Sequence, residues 1–223
     1  MNRESDKEME KSNKYWENVW KEENREDLYA YLDKYYKSNM PEIEIFKEHQ
    51  ITKVCDAACG FGAYSLAFAS NGFEVYSFDI SETAVEIART GLKRYGVNEE
   101  NIKVASILDT KYPNETFEGI VAHAIIDHLT VVDARNALKE LLRITKNGGL
   151  IMISFDEAEE EDLSLEHTVI ESGTLEYVDD TRMGMLFHPY DWGEIEALIQ
   201  GYEVVYKATN VKKEKIVIIK KFS

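Results

Sequence analysis

The stretch Val54-Cys55-Asp56-Ala57-Ala58-Cys59-Gly60-Phe61-Gly62, followed by Ala63-Tyr64-Ser65-Leu66-Ala67-Phe68-Ala69, constrains this chain more than any other. It reads as a short buried strand, a tight loop of small residues and a helix. Gly60 and Gly62 let backbone turn sharply and approach a ligand with no Cβ in the way. The first N–H groups of the helix have no intrahelical partners and face whatever lies over the loop. Strand, glycine loop and helix N-terminus together form a nucleotide-type crevice, the opening unit of a doubly wound α/β sheet.

Spacing separates two ligand classes for such a crevice. Gly60-x-Gly62-x-x-Ser65 is a partial match to the dinucleotide fingerprint, which carries Gly or Ala where Ser65 stands. The carboxylate of Asp56, at the strand end, fits the other class. Asp56-Ala57-Ala58-Cys59-Gly60-Phe61-Gly62 resembles motif I (D-x-G-C-G-x-G) of the class I S-adenosylmethionine-dependent methyltransferases, with Ala58 in place of the first glycine. Phe117-Glu118-Gly119-Ile120-Val121, running on to Ile126-Asp127-His128-Leu129, is similar to that family's F-D-x-V…L-H-H-L stretch. Glu118 replaces its Asp, and Asp127 stands at its first histidine. The resemblance covers residues 52–154.

The rest of the chain is read around that core. Residues up to Lys11 are charged and expected to fray. Between Lys14 and Gln50, apolar and aromatic residues recur at helical spacing, as in Leu28, Tyr31, Leu32 and Tyr35. Residues 1–50 are therefore expected to form an N-terminal helical cap. Strands are expected near 53–56, 74–79, 102–107, 119–124 and 150–153, alternating with helices. Lys146-Asn147-Gly148-Gly149 reads as a helix C-cap. Strands at 202–208 and 215–220 are joined by a link too short for a helical crossover, so they should pair antiparallel. Residues 155–190 form an insertion or lid after strand five, with an acidic start at 156–162 and a β-hairpin around Ser172-Gly173. A last helix precedes the final strands within 191–223. The expectation is one domain over 1–223, with a cofactor core at 51–154. Its doubly wound, mostly parallel seven-stranded sheet has an antiparallel last strand, as the resemblance also implies.

Charge narrows the partners. With 26 basic and 42 acidic residues, the net charge is −16, which repels nucleic-acid phosphates and anionic lipid. The strand-four edge also lacks the Asn/Asp-Pro-Pro-aromatic tetrad and the Pro-Cys pair of nucleobase methyltransferases. Neither nucleic acid nor membrane is expected as a partner. No apolar run approaches a membrane span and the first residues lack signal-peptide character, so a cytoplasmic location is expected. Cys55 and Cys59 are the two cysteines, read as small buried hydrophobes, and no metal site is expected. The oligomeric expectation is monomer or homodimer.

The resemblance implies S-adenosylmethionine as cofactor, S-adenosylhomocysteine as product, and a small-molecule methyl acceptor. It implies backbone approach to the methionine part at Ala58, Gly60 and Gly62, with Asp56 near its ammonium end. Asp79, ending strand two, suits ribose hydroxyls, with Ile80 beside the adenosine. Leu108 and Asp109 would meet the adenine. His123, at the strand-four edge, is a cofactor-side and catalytic candidate. Tyr15, Trp16, Tyr36 and His188 are candidates for the acceptor side. The acidic run would draw in a cationic acceptor. A nicotinamide-dependent oxidoreductase, or a non-catalytic cofactor-binding protein on the same fold, remains open at this level.

Overall fold

The computed structural model describes residues 3–170 and 173–222; Met1, Asn2, Glu171, Ser172 and Ser223 lie outside it. Three helices open the chain: α1 (Arg3–Glu22), α2 (Arg25–Leu32) and α3 (Pro41–Glu48). The core follows as β1 (Lys53–Ala57), α4 (Ala63–Ser70), β2 (Glu74–Asp79), α5 (Glu82–Lys93), β3 (Ile102–Val104), β4 (Phe117–Ala122), α6 (Val131–Ile144) and β5 (Thr145–Phe155). Next come α7 (Glu160–Ser164), β6 (His167–Val169), β7 (Leu175–Tyr177), β8 (Leu186–Phe187), α8 (Trp192–Leu198), β9 (Glu203–Thr209) and β10 (Lys215–Lys220).

Seven strands form one sheet in the order β3-β2-β1-β4-β5-β10-β9, with β10 antiparallel to both neighbours and the other pairs parallel. This is the expected sheet. The period-2 alternation of strand side chains divides the core. Ile120, Ala122, Ile151, Ile153, Val217 and Ile219 face α6 and α8. Val121, Leu150, Met152, Ile216 and Ile218 face α3 and α4 on the other side. A strand covered on both faces needs apolar residues at consecutive positions, which explains Leu150-Ile151-Met152-Ile153.

Several expectations are corrected. From Arg3 on, the residues up to Lys11 are helical rather than frayed: α1 begins at Arg3, Ser12 is buried and Met9 packs on the core, while Met1 and Asn2 lie outside the described residues. Lys146–Gly149 is not a helix stop. Helix α6 ends at Ile144, where the Thr145 hydroxyl donates to the Leu141 carbonyl at 2.7 Å, and the chain goes directly into β5. Gly148 (φ 76°) and Gly149 serve a register shift against β4; a Cβ on Gly149 would lie 2.6 Å from the Glu118 carbonyl oxygen. The strand at 119–124 instead ends at Ala122, and β3 ends at Val104. The insertion is more than a hairpin: β6, β7 and β8 make a three-stranded antiparallel sheet, and part of the acidic run coils into α7. Of the expected turn, Gly173 is described and Ser172 is not. Among the described residues no helix is long and apolar enough to cross a membrane.

Candidate active site

Strand β1 delivers the chain into a loop of left-handed residues: Ala58 at φ 56°, Gly60 at 52° and Gly62 at 91°. Ala58 thus holds the conformation that the glycine of the motif serves, at a cost of about 1 kcal/mol for a residue with a Cβ. The two glycines are required by contact as well. A Cβ on Gly60 would lie 2.8 Å from the Trp20 ring, and one on Gly62 would lie 2.9 Å from Leu92.

Asp79, at the end of β2, is buried and locks this loop. Its Oδ2 accepts from the Gly60 N–H and its Oδ1 from the Ser81 N–H, each at 2.9 Å. Burial raises its pKa, and these N–H bonds oppose the rise. Each carboxylate oxygen keeps a second lone pair for a ligand hydroxyl. Asp56 lies deeper. The Ser65 hydroxyl donates to it at 2.6 Å and in turn accepts from Ser77 at 2.7 Å. Burial pushes the Asp56 carboxyl up to about 6, against the Ser65 hydrogen bond and the nearby His123.

Ala58, Ile80 and Leu108, from three separate loops, line one small cavity of about 40 Å³. Helix α1 lies across it through Met9, Ser12, Asn13 and Trp16, and Ile125 and His128 close its floor. Glu17 fastens α1 to the start of α5: it accepts from the Ser81 hydroxyl at 2.5 Å and the Thr83 hydroxyl at 2.7 Å. Desolvation works against its ionisation, but the bonds from Ser81, Thr83 and Lys21 hold its pKa at about 2. Asp109, which follows Leu108 in the chain, is exposed and paired with Lys111 and is not among the residues lining the cavity.

A larger cavity of about 470 Å³ opens beside it. Tyr15, Trp16 and Phe187 supply aromatic wall, while Asp156, Glu159 and Glu214 supply carboxylates. Glu157 and Asp162, also on its wall, are paired with Lys215 and Arg182. Asp156, Glu157, Glu159 and Asp162 of the acidic run thus line this cavity. Trp16 and His128 line both cavities. The His128 ring sits edge-on to Trp16 at 4.9 Å. Its Nδ1 lies 3.0 Å from the Leu186 carbonyl, which can only accept, so in the neutral ring the lone pair is on Nε2.

The remaining candidates lie apart from these cavities. His123 stacks on Tyr64 at 4.3 Å, with Nε2 3.6 Å from Glu214, whose pKa that contact lowers. His188 is buried between Thr174 and Glu194 at 3.1 and 3.2 Å. Tyr36 is exposed and stacked on Tyr95. Sequence reasoning passed over His128 as a site residue, although the signal was in the quoted stretch: His128 occupies the second histidine of L-H-H-L.

Residues 54–149 match the family model described as a methyltransferase domain. A demethylmenaquinone methyltransferase from Clavibacter sepedonicus is 32% identical over 101 residues, 45% of this chain and 40% of that protein. The match thus spans about two-fifths of the relative's length. A SAM-dependent methyltransferase from Methanosarcina mazei superposes with a TM-score of 0.67 at 19% identity, covering 83% of this chain and 99% of that one. A 1,6-didemethyltoxoflavin-N1-methyltransferase from Burkholderia thailandensis, solved with S-adenosylhomocysteine, gives a TM-score of 0.61 at 14% identity, with coverages of 82% and 77%. Residues 54–149 thus match a methyltransferase domain, and the chain shares its fold with solved methyltransferases.

Proposed function

We propose that the protein binds S-adenosylmethionine in the crevice between the β1 loop and Asp79 and methylates a small molecule held in the larger cavity. The observation that carries this is the shared wall: the two cavities abut at Trp16 and His128. The crevice fits the cofactor on its own chemistry. Asp79 has lone pairs left for ribose hydroxyls, and Gly60 and Gly62 give an approach that a Cβ would block. Ala58, Ile80 and Leu108 provide an apolar slot for the adenosine, Asp109, which follows Leu108 in the chain, would meet the adenine amine, and Asp56 and His123 serve the methionine end. The slot in this structure, about 40 Å³, is small for an adenosyl group, so helix α1, which lies across it, would shift to admit one.

When bound, S-adenosylmethionine supplies a methyl already activated by the sulfonium. The protein's part is to align acceptor and methyl across the shared wall and to exclude water. Tyr15 and Trp16 would bound the acceptor, with Nε2 of His128, on the shared wall, as a lone pair able to hold its O–H or N–H. A cavity of about 470 Å³ falls within the size range of small-molecule sites, and the net charge of −16 supports a small acceptor over a nucleic acid.

The test is calorimetric titration of S-adenosylhomocysteine into the wild type and Asp79→Ala, with NAD as control. Micromolar binding that weakens about 10- to 100-fold in the variant is expected, the loss of one or two hydrogen bonds to a charged group. NAD binding with no S-adenosylhomocysteine signal would overturn the function and leave the fold intact.

A further inference from the structure

Immediately behind the shared wall, two carboxylates meet without a cation. Asp127, in the 3-10 turn Ile126–His128, is fully buried. Its Oδ2 accepts the Asp156 N–H at 2.8 Å, while its Oδ1 is buried with no hydrogen-bond partner. One carboxylate oxygen from Asp127, one from Asp156 and one ring nitrogen of His128 all lie within 4.8 Å of one another. Among the described residues no lysine or arginine pairs with Asp127 or Asp156. A buried carboxylate left without a counter-charge is costly, and native proteins rarely leave its oxygens unmatched. One oxygen from each carboxylate and a ring nitrogen of His128 thus form a set of three potential donors, and Asp127 within it carries an oxygen with no partner.

We propose that Asp127, His128 and Asp156 bind a divalent cation of the manganese or magnesium class at the edge of the larger cavity. Carboxylate oxygens suit these hard cations, and a single imidazole draws the preference toward first-row metals such as Mn²⁺. Metal–ligand bonds of about 2.1 Å place donors about 3 Å apart at right angles and about 4.2 Å apart across the ion. Small side-chain rotations bring the present spacing into that range. Asp127 is already fixed by the Asp156 N–H, and His128 by the Leu186 carbonyl, so two of the three ligands are oriented in advance. Asp156 and His128 also line the open cavity, which provides the entry path and leaves the ion's remaining positions facing the acceptor space. The site goes beyond the methyl-transfer reading and does not depend on it. With a cation in place, an acceptor would be held through the ion rather than by the imidazole.

Titration of MnCl₂ into the full chain, followed by calorimetry and by loss of the free-Mn²⁺ electron paramagnetic resonance signal, tests the site without any methyl acceptor. One ion per chain is expected, bound at least about 10-fold more weakly in Asp127→Asn and in Asp156→Asn. Glu159→Gln, on the same cavity wall, should bind as the wild type does. The Asn at position 127 can still accept the Asp156 N–H; should that variant fail to fold, the partly exposed position 156 carries the test alone. Absence of saturable binding, or binding unchanged in the Asp156 variant, would overturn the site. S-adenosylhomocysteine affinity measured on the same samples reads the cofactor proposal separately.

Discussion

Asp56 shows at the level of one residue how a site can work against the fold that carries it. Its carboxyl is almost fully buried and pushed up to about 6, so the native state favours the protonated form. A folded-state pKa above the unfolded one means stability that is fully present below the unfolded value, near 4, and lost as pH rises through 6. At pH 7.5 the ionised carboxylate therefore costs the fold about 1–3 kcal/mol. Asp56→Asn keeps an acceptor for the Ser65 hydroxyl, and its thermal midpoint should exceed that of the wild type at pH 7.5 and converge with it below pH 4. Equal midpoints at both pH values would show that Asp56 pays no burial cost. The same variant should bind S-adenosylhomocysteine more weakly, a charge kept for a ligand at the expense of stability. Residue types and their spacing made Asp56, Gly60, Gly62 and Asp79 legible in the sequence, because a crevice of this kind demands them. His123 and His128 both follow strand four in the sequence, and residue type alone does not separate their surroundings. Only the fold shows that one ring is taken by Tyr64 and Glu214 while the other stands between two cavities.

Among the elements, α1 carries the most functional weight and was the least legible. Its first half is charged, which in sequence reads as fraying, yet Met9 and Ser12 dock against the core and Trp20 rests on Gly60. Amphipathic burial of a highly charged helix appears only when its partner surface is known. The strand-to-helix rhythm of 53–153, by contrast, follows from local pattern alone. The exception at 145–149 has a local cause, since glycines at a strand bulge and glycines at a helix stop look the same in sequence. Glu17 is the fastening of α1. Glu17→Ala removes the acceptor for Ser81 and Thr83 and should cost about 1–2 kcal/mol, or about 2–8 °C in thermal midpoint. Its pKa of about 2 sets the pH window: the fastening is intact above the ordinary glutamate range and is lost as pH falls toward 2. If α1 is the gate over the adenosine slot, stopped-flow association of S-adenosylhomocysteine should be faster in the same variant. An unchanged rate would mean that the ligand enters without moving the helix.

The whole molecule carries 16 more acidic than basic residues, a long-range term that no single pair reveals. Two salt effects compete. Screening weakens the exposed ion pairs, such as Arg25–Glu86 at 3.1 Å and Lys93–Glu99 at 2.6 Å, and so lowers stability. Such pairs contribute about 0–1 kcal/mol each, and their attraction acts over a few ångströms. Screening also relieves the repulsion among the excess carboxylates, which acts across the whole surface and is cut once the Debye length falls to about 10 Å at 0.1 M salt. Because the imbalance is summed over the entire chain while each exposed pair acts locally and weakly, relief of repulsion should win. The thermal midpoint should therefore rise between 20 mM and 300 mM sodium chloride, most steeply over the first 100 mM, as ionic screening requires. A rise confined to high concentration would point to preferential exclusion of the salt from the surface. A fall would show that the ion-pair network outweighs the net charge. The same field favours cations over anions in the larger cavity, so high salt should weaken Mn²⁺ binding at Asp127, His128 and Asp156 while it stabilises the fold.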